Sequence, residues 1–440
     1  MHQEHSLWAQ TAERPQFEAL KGDKKTDVLI IGGGMAGLLC AHMLKKAGVD
    51  CALVEADRIC SGITQNTTAK ITLQHGLLYH KMIQKYGVDR ARLYLQAQQA
   101  AMEQYKKLCG DMDCDYQEQR AYVYSRTDQE RVANEAAALR RLGVEAGFTE
   151  NVPLPLRIQG AVYVERQAQF HPLKFAFGLA GELPVYENTK VRQIGKRQVV
   201  TEHGKITAEK VIVATHFPFI NKHGGYFLKL YQHRSYVLAL ENVPLAEGMY
   251  VDEDLKGLSF RNAQGKLLLG GGGHRTGKQG GAWFELEAFA RRHYPGAKIV
   301  GRWAAQDCMS LDGMAYVGQY SPRTANLYVA TGFHKWGMTS SMAAAMILTD
   351  LVQGKSNDWA EVFAPNRRMA HPQLAVNAGE SVLGLLTPTR PRCPHMGCAL
   401  HYNPQEHSWD CSCHGSRFTA AGQVIDNPAT DDKKNMGNGR

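Results

Sequence analysis

Long apolar runs are what this sequence has least of. No stretch of its 440 residues approaches the roughly 18 apolar residues of a membrane span. The longest weakly apolar run, SSMAAAMILTDLV at 340–352, reads as a packed helix. The first 20 residues lack a positive segment followed by an apolar one, which excludes a secretory signal. There is no Lys/Arg block and no basic amphipathic stretch. The 51 Lys and Arg against 42 Asp and Glu leave a charge of +9 spread along the chain, which argues against nucleic acid as a partner. An acidic substrate or an electron-transfer partner stays compatible with that charge. Internal repeats are absent. These absences predict a cytoplasmic protein with reduced thiols. Six of the ten cysteines, Cys40, Cys51, Cys60, Cys109, Cys114 and Cys308, lack ligand spacing and read as small buried hydrophobes. At this length two to three domains are expected.

Two patterns stand against this plain background. The first is TDVLIIGGGMAG at 26–37. A short apolar strand, Val28–Ile31, runs straight into Gly32-x-Gly34-x-x-Gly37. The helical pattern MAGLLCAHMLKKAG follows, and a second apolar strand at 49–54 ends in Glu55. Strand, glycine turn, helix, strand and acid in this register make a dinucleotide-binding unit. Gly32 permits the turn, Gly34 lets backbone approach a pyrophosphate, and Gly37 lets helix pack on strand. Met35 and Ala36 open the helix, whose N-terminus favours phosphate. Glu55 is placed to accept hydrogen bonds from a ribose. This fingerprint does not choose between NAD and FAD. The loop SGITQNTTAKITLQHG at 61–76, with Thr67 and Thr68, can supply donors to a diphosphate or a flavin ring.

Residues 26–76 resemble the D-amino-acid oxidase-like superfamily of FAD-dependent oxidoreductases. Two further stretches fit that family: VYENTKVRQI with KVIVATHFP at 185–218, and NLYVATGFHKWGMTSSMAAAM at 326–346. The resemblance implies FAD as cofactor, with Val191 on the adenine side. It also implies a second glycine turn, Gly332 to Gly337 and Met338, aiming a helix N-terminus at the flavin. The expected fold is mixed α/β. A discontinuous Rossmann-like FAD-binding domain (24–76, 150–220, 305–370) interleaves with a helical and sheet-based substrate domain (77–149, 221–304). Helices are expected near 90–104 and 128–143, and strands over 226–273. Candidate pocket residues are Arg234, Tyr236, His274, Arg275, His75 and His334. His334, His75 and Arg234 are the catalytic candidates, the arginine as a clamp for a substrate carboxylate.

The second pattern is CPHMGCALHYNPQEHSWDCSCHGSRF at 393–418, with four cysteines and four histidines in 26 residues. Cys393-x-His395 and Cys411-x-x-His414 form two mixed clasps. The first is tighter than the two-to-four-residue spacing usual for zinc, and the surplus Cys398 and Cys413 have no place in a simple zinc finger. The pattern is similar to the Rieske family. That resemblance implies a 2Fe–2S cluster, with Cys393 and Cys411 on one iron and His395 and His414 on the other. Neutral imidazoles on one iron raise the reduction potential. The resemblance also implies a Cys398–Cys413 disulfide, with reduced thiols as the alternative. A small β module over 385–430 is expected, lacking the strands that usually precede the first clasp. It must therefore pack on the flavin domain. The last ten residues read as a frayed polar end.

Two redox motifs in one chain imply an FAD-dependent oxidoreductase. It would oxidise a small organic substrate such as an amine or amino acid and pass electrons through the cluster to an acceptor protein. Two alternatives stay open. One is a redox carrier or sensor without its own substrate. The other is a flavin oxidase with a zinc-bound or metal-free structural clasp.

Overall fold

The computed structural model describes residues 5–388, 391–433 and 436. Among the described residues the strands form three sheets. The first holds β1 (Lys24–Ile31), β2 (Cys51–Val54), β7 (Val185–Tyr186), β8 (Val191–Ile194), β9 (Gln198–Thr201), β10 (Lys205–Val213), β16 (Tyr316–Gln319) and β17 (Leu327–Thr331). Its main order is β16-β17-β10-β1-β2-β7, and β1 lies parallel to both β10 and β2. A parallel strand covered on both faces must be apolar throughout, which is why VLII at 28–31 is continuous and not alternating. Two helices, Met35–Lys46 and Gly337–Val352, pack together over this sheet. The second buries nearly every side chain, from Met338 to Val352.

The second sheet holds β3 (Lys70–Ile71), β4 (Gln117–Ser125), β5 (Ala146–Thr149), β6 (Gly160–Gln169), β11 (Leu230–Glu241), β12 (Met249–Asp252), β13 (Ser259–Ala263), β14 (Lys266–Arg275) and β15 (Lys298–Ser310). The helical periodicity of 77–147 is met by helices Val88–Gly110 and Gln129–Arg141, yet β4 lies between them and β5 follows. Residues 160–169, expected with the FAD-binding segments, pair instead with β4 as part of this second sheet. Tyr122, Val123 and Tyr124 oppose Tyr163, Val162 and Ala161 there, the β-branched and aromatic pairing that favours a sheet.

The third sheet is small: β18 (Leu400–Asn403), β19 (Ser408–Cys411), β20 (Arg417–Thr419) and β21 (Val424–Asp426), antiparallel in that order. A helix, Pro372–Leu386, precedes it where preceding strands are usual. The sheet's own buried apolar cluster is small, made of Leu400, Phe418, Ala429, Met436 and the four cysteines. The described end of the chain is also tied down. Asp431 pairs with Arg192 at 2.9 Å and the Asp432 carboxylate accepts the N–H of Val424. The rest of the expected frayed end, 434–435 and 437–440, lies outside the described residues.

β11 and β21 both border a cavity beside the first sheet, with Ser235, Tyr236 and Val237 from β11 and Val424–Asp426 from β21. Alternate residues of a strand point to opposite faces. Gln232, Arg234 and Tyr236 reach residues of the third sheet and its loops, whereas Ser235 between them bonds Asp307 and Lys335 on the cavity side.

Candidate functional site

A cavity of about 960 Å³ runs from the first glycine turn to the start of helix Gly337–Val352. At one end a Cβ on Gly37 would stand 1.9 Å from the carbonyl oxygen of Gly32, so helix and strand approach too closely for any side chain. A Cβ on Gly34 would meet only Thr64 Oγ1, at 3.5 Å. The protein itself does not need that space, and glycine leaves it to the cavity. Gly34 caps the helix without a side-chain oxygen, and Thr64 accepts the Met35 N–H at 3.1 Å. Glu55 accepts the N–H of Gly33 at 2.7 Å and of Asp57 at 3.0 Å. A carboxylate has about four acceptor positions, so two are left for a ribose diol. Burial raises the Glu55 pKa and those two N–H groups oppose it.

The loop carrying Thr67 and Thr68 is clamped from outside the cavity by residues distant in sequence. Trp303 Nε1 donates to the Asn66 carbonyl, Trp8 Nε1 to that of Thr67, and Arg261 Nη1 to those of Thr68 and Ala69. With its carbonyls held outward, the loop lines the cavity with Asn66, Thr67, Thr68 and Lys70. Of the twelve expected cofactor residues, Gly32, Gly34, Met35, Ala36, Glu55, Thr67, Thr68, Val191, Gly337 and Met338 line the cavity. Gly37 acts in packing. Gly332 serves the turn, with φ of +70° and Leu230 against it.

At the far end His334 and Lys335 stand consecutively in the left-handed region, at φ +50° and +71°. That conformation is uncommon for residues with side chains and clusters at functional sites. His334 Nδ1 is buried without a hydrogen-bond partner, and burial, then Lys335, lowers its pKa to about 4. Lys335 pairs with Asp307 at 2.9 Å. Lys70 faces the same cavity and pairs with no carboxylate among the described residues. Its Nζ donates to Thr68 Oγ1, and burial followed by Arg261 lowers its pKa to about 7.

His75 stands differently. Its Nδ1 meets the Tyr94 hydroxyl at 2.5 Å, and its Nε2 meets Thr72 O and Thr339 Oγ1 at 3.0 and 2.9 Å. Its ring also stacks on Trp336, 5.1 Å away. Both nitrogens are engaged, so His75 acts as a tether at the cavity wall and offers no free base. Arg234 does not line the cavity at all. Its guanidinium is bidentate to Glu406, which also accepts from Arg417 and the Tyr236 hydroxyl. The expected substrate clamp is thus replaced by a buried ion pair, because a carboxylate of the third sheet occupies the site. His274 bonds Tyr236, and Arg275 donates to the carbonyls of Ser412 and Cys413. The expected pocket arginines hold two parts of the molecule together.

Across β11 lie the two clasps. Cys393, Cys398, Cys411 and Cys413 are all buried free thiols. The sulfurs of Cys398, Cys411 and Cys413 lie within 4.8 Å of one another, close enough to hold a metal by themselves. That set leaves the histidines unexplained. The rings of His395 and His414 are 4.9 Å apart and nearly perpendicular, and Nδ1 of each is buried without a partner. Burial, then His414, lowers His395 to about 4, so it stays neutral as a ligand must. Two orphaned imidazole nitrogens beside buried thiols fit a mixed Cys/His iron–sulfur cluster better than three thiols alone. The cavity and the clasps are linked by one side chain. Gln232 Oε1 accepts from Nε2 of His216, on the cavity wall, at 3.0 Å, and its Nε2 donates to the His414 carbonyl at 3.1 Å. Gly415 makes this approach possible, since a Cβ there would lie 2.5 Å from Gln232 Cβ.

Sequence reasoning missed Lys70, Gln232, Arg261 and Glu406. Lys70 and Glu406 lie inside stretches already singled out, 61–76 and 393–418, but at positions those patterns do not mark. Glu406 is one of two acids between the clasps, beside Asp410, and Gln232 one of four consecutive polar residues, 232–235, so neither stood out in the sequence.

Comparison with known proteins agrees with this geometry. Residues 27–351 match the FAD dependent oxidoreductase family (DAO), and residues 355–436 match the Rieske [2Fe-2S] domain. The second match thus begins upstream of 385 and includes helix Pro372–Leu386. The chain is 34% identical to a Bacillus subtilis (strain 168) protein described as a Rieske 2Fe-2S iron-sulfur protein, YhfW, over 96% of each. It is 26% identical to gamma-glutamylputrescine oxidoreductase of Escherichia coli (strain K12), over 79% of this chain and 89% of that one. Among solved structures, glycine oxidase from Geobacillus kaustophilus superposes with a TM-score of 0.66 at 21% identity, covering 79% of this chain and 100% of that one. L-proline dehydrogenase from P. horikoshii gives 0.67 at 17%, covering 78% and 98%. No helix among the described residues is long and apolar enough to cross a membrane. The chain belongs to the DAO family of FAD-dependent oxidoreductases, with FAD as its cofactor, and carries a Rieske domain for a 2Fe–2S cluster.

Proposed function

We propose that this oxidoreductase oxidises a small amine or amino acid and delivers the electrons, through its cluster, to an acceptor protein. Bound FAD supplies two-electron oxidation of a C–H bond, and a 2Fe–2S cluster exchanges single electrons. The observation that carries the reading is the His216–Gln232–His414 contact, which puts the cavity wall one side chain from the loop of a cluster ligand. The ligands proposed are Cys393, His395, Cys411 and His414. A cavity lined well beyond the glycine cradle favours a protein with its own substrate over a carrier without one. Nine carboxylates line it against five lysines and arginines, which suits a cationic substrate. The relatives named for gamma-glutamylputrescine and glycine point to the same class.

Within the chain, Lys70 and His334 are proposed to handle the substrate proton. Both are held toward their neutral forms by burial, and neither has a carboxylate partner of its own among the described residues. Asp307 and Ser235 hold Lys335 in place. The test is anaerobic titration of the holoprotein with a panel of amines and amino acids. The expected result is bleaching of the flavin absorbance followed by the rhombic resonance of a reduced cluster. Flavin bleaching with a cluster that stays oxidised sinks the relay, and a panel that never bleaches the flavin sinks the substrate class. Lys70→Met is expected to lower kcat/KM at least about tenfold and to remove an acid limb centred near pH 7.

A further inference from the structure

The cavity has a wall that does not come from the FAD-binding family region. Asp426, Asn427, Ala429, Thr430 and Asp432 line it, and all belong to the segment that follows β21 of the Rieske domain or ends that strand. This segment runs along the cavity from the turn after β10 to the start of β8. Asn427 Nδ2 donates to the Phe217 carbonyl at 2.8 Å, and Asp431 pairs with Arg192 at 2.9 Å. The same segment is fastened to the second clasp. Ala429 N–H donates to Ser416 Oγ at 3.0 Å, and Arg417↔Asp426 joins β20 to β21.

Gln232 is where these lines meet. Its amide nitrogen donates to the carbonyls of both His414, at 3.1 Å, and Asn427, at 2.7 Å, while its oxygen meets His216 Nε2. It is 1% exposed, so these partners replace water for both ends of the amide. One buried side chain thus holds a clasp carbonyl and the cavity-lining segment at once.

We propose that residues 424–432 form a strap over the FAD site and that Gln232 makes retention of FAD and retention of the cluster depend on each other. FAD cannot leave past the strap without breaking the Asn427 contacts. The strap keeps those contacts only while the 411–416 loop, which holds Ser416 and the His414 carbonyl, is in place. A cluster bound to Cys411 and His414 fixes that loop. By reciprocity of linkage, FAD in the cavity must then stabilise the loop by the same factor. This inference rests on the two cofactors alone and goes beyond the proposed substrate and relay.

The test compares retention of each cofactor with and without the other. In the wild-type protein, removal of FAD is expected to speed iron release to a ferrous chelator several-fold, with far-UV circular dichroism unchanged. Asn427→Ala is expected to raise the FAD dissociation constant about tenfold, read by flavin fluorescence on dilution, with iron and sulfide content kept at wild-type values. Gln232→Leu is expected to do both, weakening FAD and speeding iron release. If Gln232→Leu does not fold, the first two measurements decide. Iron release that is indifferent to FAD overturns the coupling, and an unchanged FAD dissociation constant in Asn427→Ala overturns the strap.

Discussion

The two cofactor sites of this chain are built in opposite ways. The glycine cradle is local. Its turn, helix and acid fall within residues 32–55, and its key contact, the helix packed on the strand at Gly37, involves atoms five residues apart. The clasps are also close in sequence, but what holds them is remote. Gln232, Gln306 and Arg275 from the second sheet bond the backbone of 412–415, and Gly384 of the preceding helix packs on Cys413. The apolar cluster of this module is small, and the second sheet supplies hydrogen bonds to the loop that carries its second clasp. A motif can therefore mark a site without containing its support.

The ion pair between the two parts breaks this comparison most strongly. Glu406 is buried against Arg234 and Arg417; burial raises its pKa, but the two guanidiniums bring it down to about 2. Removing one partner of such a pair costs about 3–5 kcal/mol, because the other charge is left buried. Glu406→Gln is thus expected to lower the melting temperature and to lose iron at temperatures where flavin stays bound. Flavin lost before iron would reverse the comparison. The pH dependence follows from the same group. Its folded pKa lies below the unfolded value of 4.5, so its stabilisation is present above pH 4.5 and is lost as pH falls toward 2. Acid unfolding followed by cluster absorbance should fall in that window, and Glu406→Gln should flatten it.

The cradle gives a smaller effect. Gly37→Ala forces a Cβ against the Gly32 carbonyl and should cost about 1–3 kcal/mol, seen as weaker FAD binding with normal iron content. The smallest is Thr64→Val, which removes the acceptor of the Met35 N–H. It should weaken FAD by about 1 kcal/mol or less, measured by fluorescence titration.

The cradle was legible because close packing at Gly37 and an acid at Glu55 are requirements of contiguous backbone. The histidines and cysteines of the clasps were legible for the same reason: metal ligands need fixed local spacing. The role of Arg234 was misread, and the partners of His75 were not foreseen, since an isolated arginine or histidine carries no mark of its partner. Arg234 waits for Glu406 from 172 residues away, and His75 for Thr339 from 264. Residues 160–169 were grouped with the FAD-binding segments of 150–220, yet they pair with β4, because sequence proximity does not show which strand a segment will pair with.

What the sequence carries locally is a dinucleotide cradle and two Cys/His clasps, because glycine turns and ligand spacings are set by contiguous backbone; the choice of FAD and of a 2Fe–2S cluster came from family resemblance. How the two sites adjoin emerges only on folding. That depends on β11 presenting Gln232 and Arg234 to the Rieske domain while Ser235 bonds Asp307 and Lys335. Burial and hydrogen bonding across long sequence separations leave no periodic trace in a chain, so the shared wall appears only when the chain is folded.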